Sequence, residues 1–188
     1  MKCILFALAA VFFCPLTPAA EKFSEVSREP AALFASNDTL EISIQANWKN
    51  LNSLEKGKGS ETGTINHGQE KTQVVLSPRG EVRRELCQEL PPFRIDLPKD
   101  NKSTLFAGLH SELKFVTHCK TNSAEINKEI GYVLAEYAQY RFLQAAGFAM
   151  LKVRLANVTY LNPDGSIFSK GYGFFLESKK DLEKRLRS

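Results

Sequence analysis

A chain of 188 residues suffices for one domain with an appended segment. With 43% hydrophobic and 24% charged residues, its composition is that of a globular protein and excludes wholesale disorder, collagen and low-complexity fibres. The surplus of 25 basic over 21 acidic residues is small and dispersed, which argues against a nucleic-acid partner.

Lys2, the unbroken apolar run Ile4–Phe13 and the small pair Ala19–Ala20 have the charged start, apolar centre and small-residue exit of a secretory signal peptide over residues 1–20. That run rises about 15 Å as a helix, half of a ~30 Å hydrocarbon core, and no later segment is apolar enough to span. The protein is therefore expected to be exported, periplasmic or secreted, and not integral to a membrane. The bulky Val11, Phe12 and Phe13 ahead of Cys14 argue against a lipid-attachment cysteine. Without the signal peptide two cysteines remain, Cys87 and Cys119, which allow one pairing in an oxidising compartment. A Cys87–Cys119 disulfide is expected, with two buried thiols as the alternative. No Cys or His pair has zinc-ligand spacing, so no metal site is expected.

Residues 21–38 are polar, with a Glu-Pro step and the turn-forming Ser36-Asn37-Asp38, and read as a flexible leader to a single α+β domain over 39–188. Leu40–Ala46 alternates apolar and polar residues as a half-buried strand does. Trp48, Leu51 and Leu54 recur at helical spacing. Gly63–Asn66 and Thr72–Ser77 flank a turn and predict a hairpin, broken by Arg79-Gly80. Glu81–Leu86, Phe93–Leu97 and Leu113–Thr117 are further short strands. Residues 125–147 form the one strong helix, with Ile126, Ile130, Val133, Leu134 and Tyr137 on one stripe and Gly147 as its stop. Residues 151–176 predict a β-hairpin about Asn162-Pro163-Asp164-Gly165, with a bulge where the alternation of Leu151, Val153 and Leu155 shifts phase to Val158 and Tyr160. Lys179–Arg187 closes the chain as a short charged helix. The order predicts one long helix packed on a twisted antiparallel sheet of about five or more strands.

Few residues point to chemistry. Arg141 falls in the middle of the apolar helix stripe, so it reads as a buried structural charge in need of a partner, with Glu177 one candidate. Arg79, Arg83 and Arg84 around Gly80 could hold a phosphate or carboxylate; equally, they could keep an edge strand soluble. The strong phosphate-loop, hydrolase and zinc-protease signatures are all absent, and no catalytic residue can be named. Basic residues interleave with aromatics at Lys152, Arg154 and Tyr160 and at Phe168, Lys170 and Tyr172, but the low net charge and export signal argue against nucleic acid.

Several segments in order resemble the atypical, kinase-like CotH family of spore-coat proteins and its exported bacterial relatives. They are Arg79-Gly80 with Val82-Arg83-Arg84, Pro92–Leu97, Leu113–Val116, the helix segment Leu134–Phe142, Val153–Tyr160, Gly171–Glu177 and Asp181-Leu182, with Cys87 and Val116–Cys119 matching an uncharacterised branch. The resemblance spans residues 40–185 and implies a kinase-like small lobe. It would place Arg79 and Gly80 in a nucleotide-covering loop, Arg94 at the phosphate-binding lysine, Glu136 as its helix partner and Glu177 at the hinge, with Mg-ATP as the implied cofactor. Arginine and lysine are not interchangeable at such a site, and the large-lobe Asp and Asn that position the metal ions have no counterpart in these residues. The expected role is therefore non-catalytic binding or assembly. The alternatives are half of a phosphotransferase completed by a second chain, and a binding module for an anionic ligand at Arg79, Arg83 and Arg84. A protein partner, a second lobe or self-association through an apolar face around Gly171–Glu177 is the corollary.

Overall fold

Strict alternation along each strand decides the architecture. Strands β1 (Leu40–Gln45), β2 (Glu61–His67), β3 (Glu70–Pro78), β4 (Phe93–Asp96), β5 (Leu113–Val116), β6 (Val153–Leu161) and β7 (Ile167–Leu176) each send one set of side chains to a common interior. The computed structural model describes residues 31–54, 58–80, 87, 89–109, 112–121 and 125–187. The expected signal peptide, the strand expected over 81–86, and Arg83 and Arg84 lie outside the described residues.

The strands form a closed barrel in the order β1-β2-β3-β4-β5-β7-β6, with β6 returning to β1. All neighbours are antiparallel except that last pair, in which Leu40–Gln45 runs parallel to Ala156–Leu161. The α+β reading and the β6–β7 hairpin hold, whereas the open antiparallel sheet is corrected to a mixed barrel. Closure removes both sheet edges. It leaves a lumen small enough for side chains alone to fill.

Ile42, Ile44, Ile65, Val74, Leu76, Phe93, Ile95, Leu113, Phe115, Ala156, Val158, Tyr160 and Phe175 make that filling. The short helix α1 (Trp48–Ser53) is capped by Asn47, whose side chain accepts from the Asn50 N–H. It delivers Trp48 to the core, where the indole meets Tyr160 edge-on at 5.3 Å and donates its N–H to the Leu161 carbonyl at 2.9 Å. Gly173 has no side chain for a reason: a Cβ there would lie 2.5 Å from the Phe115 ring.

Helix α2 (Ile126–Ala145) lies outside the barrel, over β5, β7 and β6. Its Val133, Tyr137 and Tyr140 cover a second cluster made by Val116, Val153, Phe174 and Leu176. Val133 alone of the predicted stripe is fully buried. The helix stops as expected at Gly147, at φ +84°, where the Gly147 N–H donates to the Gln144 carbonyl and the Phe148 N–H to the Leu143 carbonyl, a Schellman closure. This helix also explains the phase shift in β6. The register runs unbroken from Val153 to Tyr160, and the one irregularity falls at Tyr160/Leu161. No bulge is needed, because Val153 and Leu155 face α2 while Ala156, Val158 and Tyr160 face the lumen.

Residues 31–38, read from sequence as the end of a loose leader, carry a 3-10 turn (Ala32–Phe34) whose Leu33 is fully buried and whose Ala32 N–H donates to the Ala107 carbonyl. Cys87 and Cys119 are joined, as expected, and the Leu90 N–H donates to the Cys119 carbonyl beside the bond. Among the described residues no helix is long and apolar enough to cross a membrane. The strand Gly171–Leu176 is largely buried, so it does not supply the apolar surface expected around it; among the described residues the exposed aromatic rings are Tyr132, Phe142 and Phe148, on and just after α2.

Candidate anion-binding face

Because Phe93, Ile95, Leu113 and Phe115 point into the lumen, the alternate residues Arg94 and Lys114 must stand on the outer face. The registers Ser77↔Arg94, Arg94↔Lys114 and Lys114↔Leu176 align them in one lateral row across four strands. Arg94 is engaged twice: its Nε lies 3.1 Å from Asp96 and its Nη1 3.3 Å from Glu112. These pairs are well exposed and of little stabilising value. They do occupy both carboxylates of the row's rim.

Lys114 has no ion pair among the described residues. Burial first, and repulsion from Arg79 and Lys179 besides, hold its ammonium below the usual lysine range, with Glu112 pulling the other way. Arg79 leaves β3 with its N–H on the Pro92 carbonyl, and Gly80 follows at φ +78°, where the chain turns off the sheet at a conformation that favours glycine. Lys179 opens the helix α3 (Lys179–Arg187). Arg79, Arg94, Lys114 and Lys179 thus converge on one side of the barrel. Sequence reasoning named the first two and missed the lysines. The available signal was the alternation of Leu113-Lys114-Phe115, which sets a cation outward between two core residues.

The remaining expected site residues are dispersed. Glu136 is half-buried on α2, and Arg94 makes its ion pairs with Asp96 and Glu112, not with Glu136. Glu177, two strands beyond Arg94 and so about 10 Å away, is buried. Its Oε2 accepts from the Lys152 N–H and from Arg185 Nη2, both at 2.9 Å, and its Oε1 from Arg185 Nε. The carboxylate is a latch between β6 and α3. Arg141 is corrected: it is half-buried, donating to Asn37 at 2.5 Å and to Gln144, and not to Glu177. The buried guanidinium belongs to Arg154, which is 6% exposed and donates to the Ser36 carbonyl. Helical periodicity placed Arg141 over the apolar stripe, but the cluster beneath α2 takes Val133, Tyr137 and Tyr140 and does not extend to Arg141.

One further polar pair is sealed inside the barrel. His118 Nε2 lies 3.1 Å from Ser169 Oγ, with Tyr160 against the ring and Gly171 closing the other side. Burial lowers the imidazole to about 4, so it is neutral at pH 7. A serine and a histidine at this distance could make a nucleophile and base, but both are buried and no substrate reaches them. No group of three His, Cys, Asp or Glu able to hold a metal occurs among the described residues. No family model matches the chain, and no curated protein matches it.

Proposed function

We propose that this chain is an exported, kinase-small-lobe-like binding domain that holds an anionic group, with a nucleotide phosphate as the first candidate, on the outer face around Lys114. The reading is carried by one observation: a half-buried lysine, crowded by Arg79 and Lys179, whose neighbouring carboxylates are already engaged by Arg94. A cation left in that state gains from an arriving anion both Coulombic attraction and relief of repulsion. The order of elements supports the kinase-like part. Lys114 stands on the last strand before the long helix, and kinases carry their phosphate-pairing lysine on the strand preceding a comparable helix. Lys114 suits that role better than Arg94. The role proposed is binding, and no phosphoryl-transfer step is assigned to these residues.

The test is a thermal-shift titration of the oxidised protein with Mg-ATP, ADP and tripolyphosphate, in parallel with Lys114→Met. A ligand at 100 times its Kd stabilises by about 2.7 kcal/mol. A shift that Lys114→Met abolishes supports the reading. No shift with any of the three at millimolar concentration, or an equal shift in Lys114→Met, refutes it.

A further inference from the structure

A cavity of about 260 Å³ opens between the last turns of α2, the 3-10 turn, the entry to β6 and α3. It shares no residue with the face around Lys114. Three cations line it, each from a different element: Arg141 from α2, Lys152 ahead of β6 and Arg185 from α3. One carboxylate is spent among them, Glu177, and it is chelated by Arg185. Among the described residues Arg141 bonds only neutral acceptors, the side-chain oxygens of Asn37 and Gln144. The Lys152 ammonium has no hydrogen-bond or ion-pair partner among the described residues, and burial first, then Arg185, disfavours its charge, with Glu177 opposing. At the helix terminus beside the cavity the carbonyls of Phe142, Leu143 and Gln144 are taken by the Ala146, Phe148 and Gly147 N–H groups, which limits the negative charge that end of α2 offers.

Gln144, bonded to Arg141 and to the Leu151 carbonyl, is the remaining polar residue of the lining, and the others are apolar. Phe34, Phe148 and Met150 face the same space. Phe148 is 62% exposed, so its ring is open to an occupant of the cavity. Two cations with no carboxylate partner among the described residues, and aromatic and thioether surface in the same cavity, define the chemistry of an occupant. It has a single anionic oxygen head and a short apolar body. The volume is slightly below that of pockets that take drug-sized ligands, which limits the body to a short chain or one ring.

We infer that this cavity is a binding site for a small amphipathic anion, its head held between Arg141 and Lys152 and its apolar body laid against Phe34 and Phe148. The head is a carboxylate or a phosphate monoester, and the cavity's chemistry admits both. Titration calorimetry of the oxidised protein with octanoate, hexyl phosphate and, as the uncharged control, octanol tests it. Saturable one-to-one binding of at least one anion is expected, with octanol at least tenfold weaker, and the tighter of the two anions identifies the head group. Lys152→Met and Arg141→Gln should each weaken that binding at least tenfold. Lys152→Met should melt no lower than the parent without ligand, because it removes a desolvated cation. Arg141→Gln, on the half-exposed face of α2, carries the test if Lys152→Met fails to fold. Absence of saturation by either anion below about 5 mM, equal binding of octanol, or unchanged affinity in a folded variant overturns the site.

Discussion

The neutral imidazole inside the barrel makes stability depend on pH in a defined window. His118 has no exposure, and burial depresses its folded pKa to about 4, against about 6.5 for a free histidine. Between those values the unfolded chain binds a proton that the folded chain refuses, so stability is complete above pH 6.5 and declines as the pH falls toward 4. The whole gap corresponds to about 3 kcal/mol, and the step from pH 7 to pH 5 to about 2 kcal/mol. At a urea slope of about 2 kcal/mol/M, that step moves the unfolding midpoint down by about 1 M. The carboxylates with displaced values do not intrude. Glu70 is lowered by hydrogen bonds from Ser103 and Thr104, and Asp164 by those from Ser166, so the stability each gives is present above the ordinary carboxylate range and is lost only as the pH falls through and below that range. Urea titrations at pH 7, 6 and 5 on the parent and on His118→Gln are the assay. The glutamine can still meet Ser169 but cannot titrate. A flat parent profile, or the same slope in His118→Gln, would refute the reasoning.

Gly173→Ala should destabilise by about 2 kcal/mol or more in chemical denaturation, because the new methyl meets Phe115, itself wedged between Phe93 and Phe175. Gly131→Ala on the open side of α2, with nothing within 4 Å, should instead gain up to about 1 kcal/mol, and equal losses at both sites would contradict this packing. Replacing Cys87 and Cys119 together by alanine releases a closure of 32 residues and should cost about 3 to 4 kcal/mol on loop entropy, read from the same denaturation curves against the oxidised parent. Tyr160→Phe should be neutral or stabilising by about 1 kcal/mol, since the buried hydroxyl has no hydrogen-bond partner among the described residues; a clear loss in melting temperature would mean that the hydroxyl is satisfied in solution.

Local order was legible along most of the chain. The alternation of Leu40–Gln45 and the hairpin about His67 and Glu70 follow from pattern and turn residues, and so does the Asn162–Gly165 turn, whose Asp164 accepts from Ser166 and whose Gly165 takes φ +84°. The Gly147 stop needed nothing beyond the chain's own chemistry. The Cys87–Cys119 bond was legible for a different reason: with the expected signal peptide set aside two cysteines remain, and counting leaves one partner. The site residues were less legible. The face around Lys114 gathers cations from the end of β3, from β4, from β5 and from the start of α3, and no spacing in sequence measures their separation in space.

What the sequence determined by itself, then, was most of the strands and helices, the alternating faces of the shorter strands and the cross-link, because each depends on residues within a few positions or on a count. Tertiary structure decided everything that depends on distance across the chain. The parallel pairing of β1 with β6 closes the barrel between strands more than 100 residues apart, and no local pattern encodes it. That closure turned Ala156, Val158 and Tyr160 to the lumen and left Val153 and Leu155 for α2, a division that sequence alone renders as a broken rhythm. It also moved the buried charge from Arg141 to Arg154 and gave Glu177 to Arg185, since a helix wheel shows which side of a helix is apolar but not how far the surface beneath it extends.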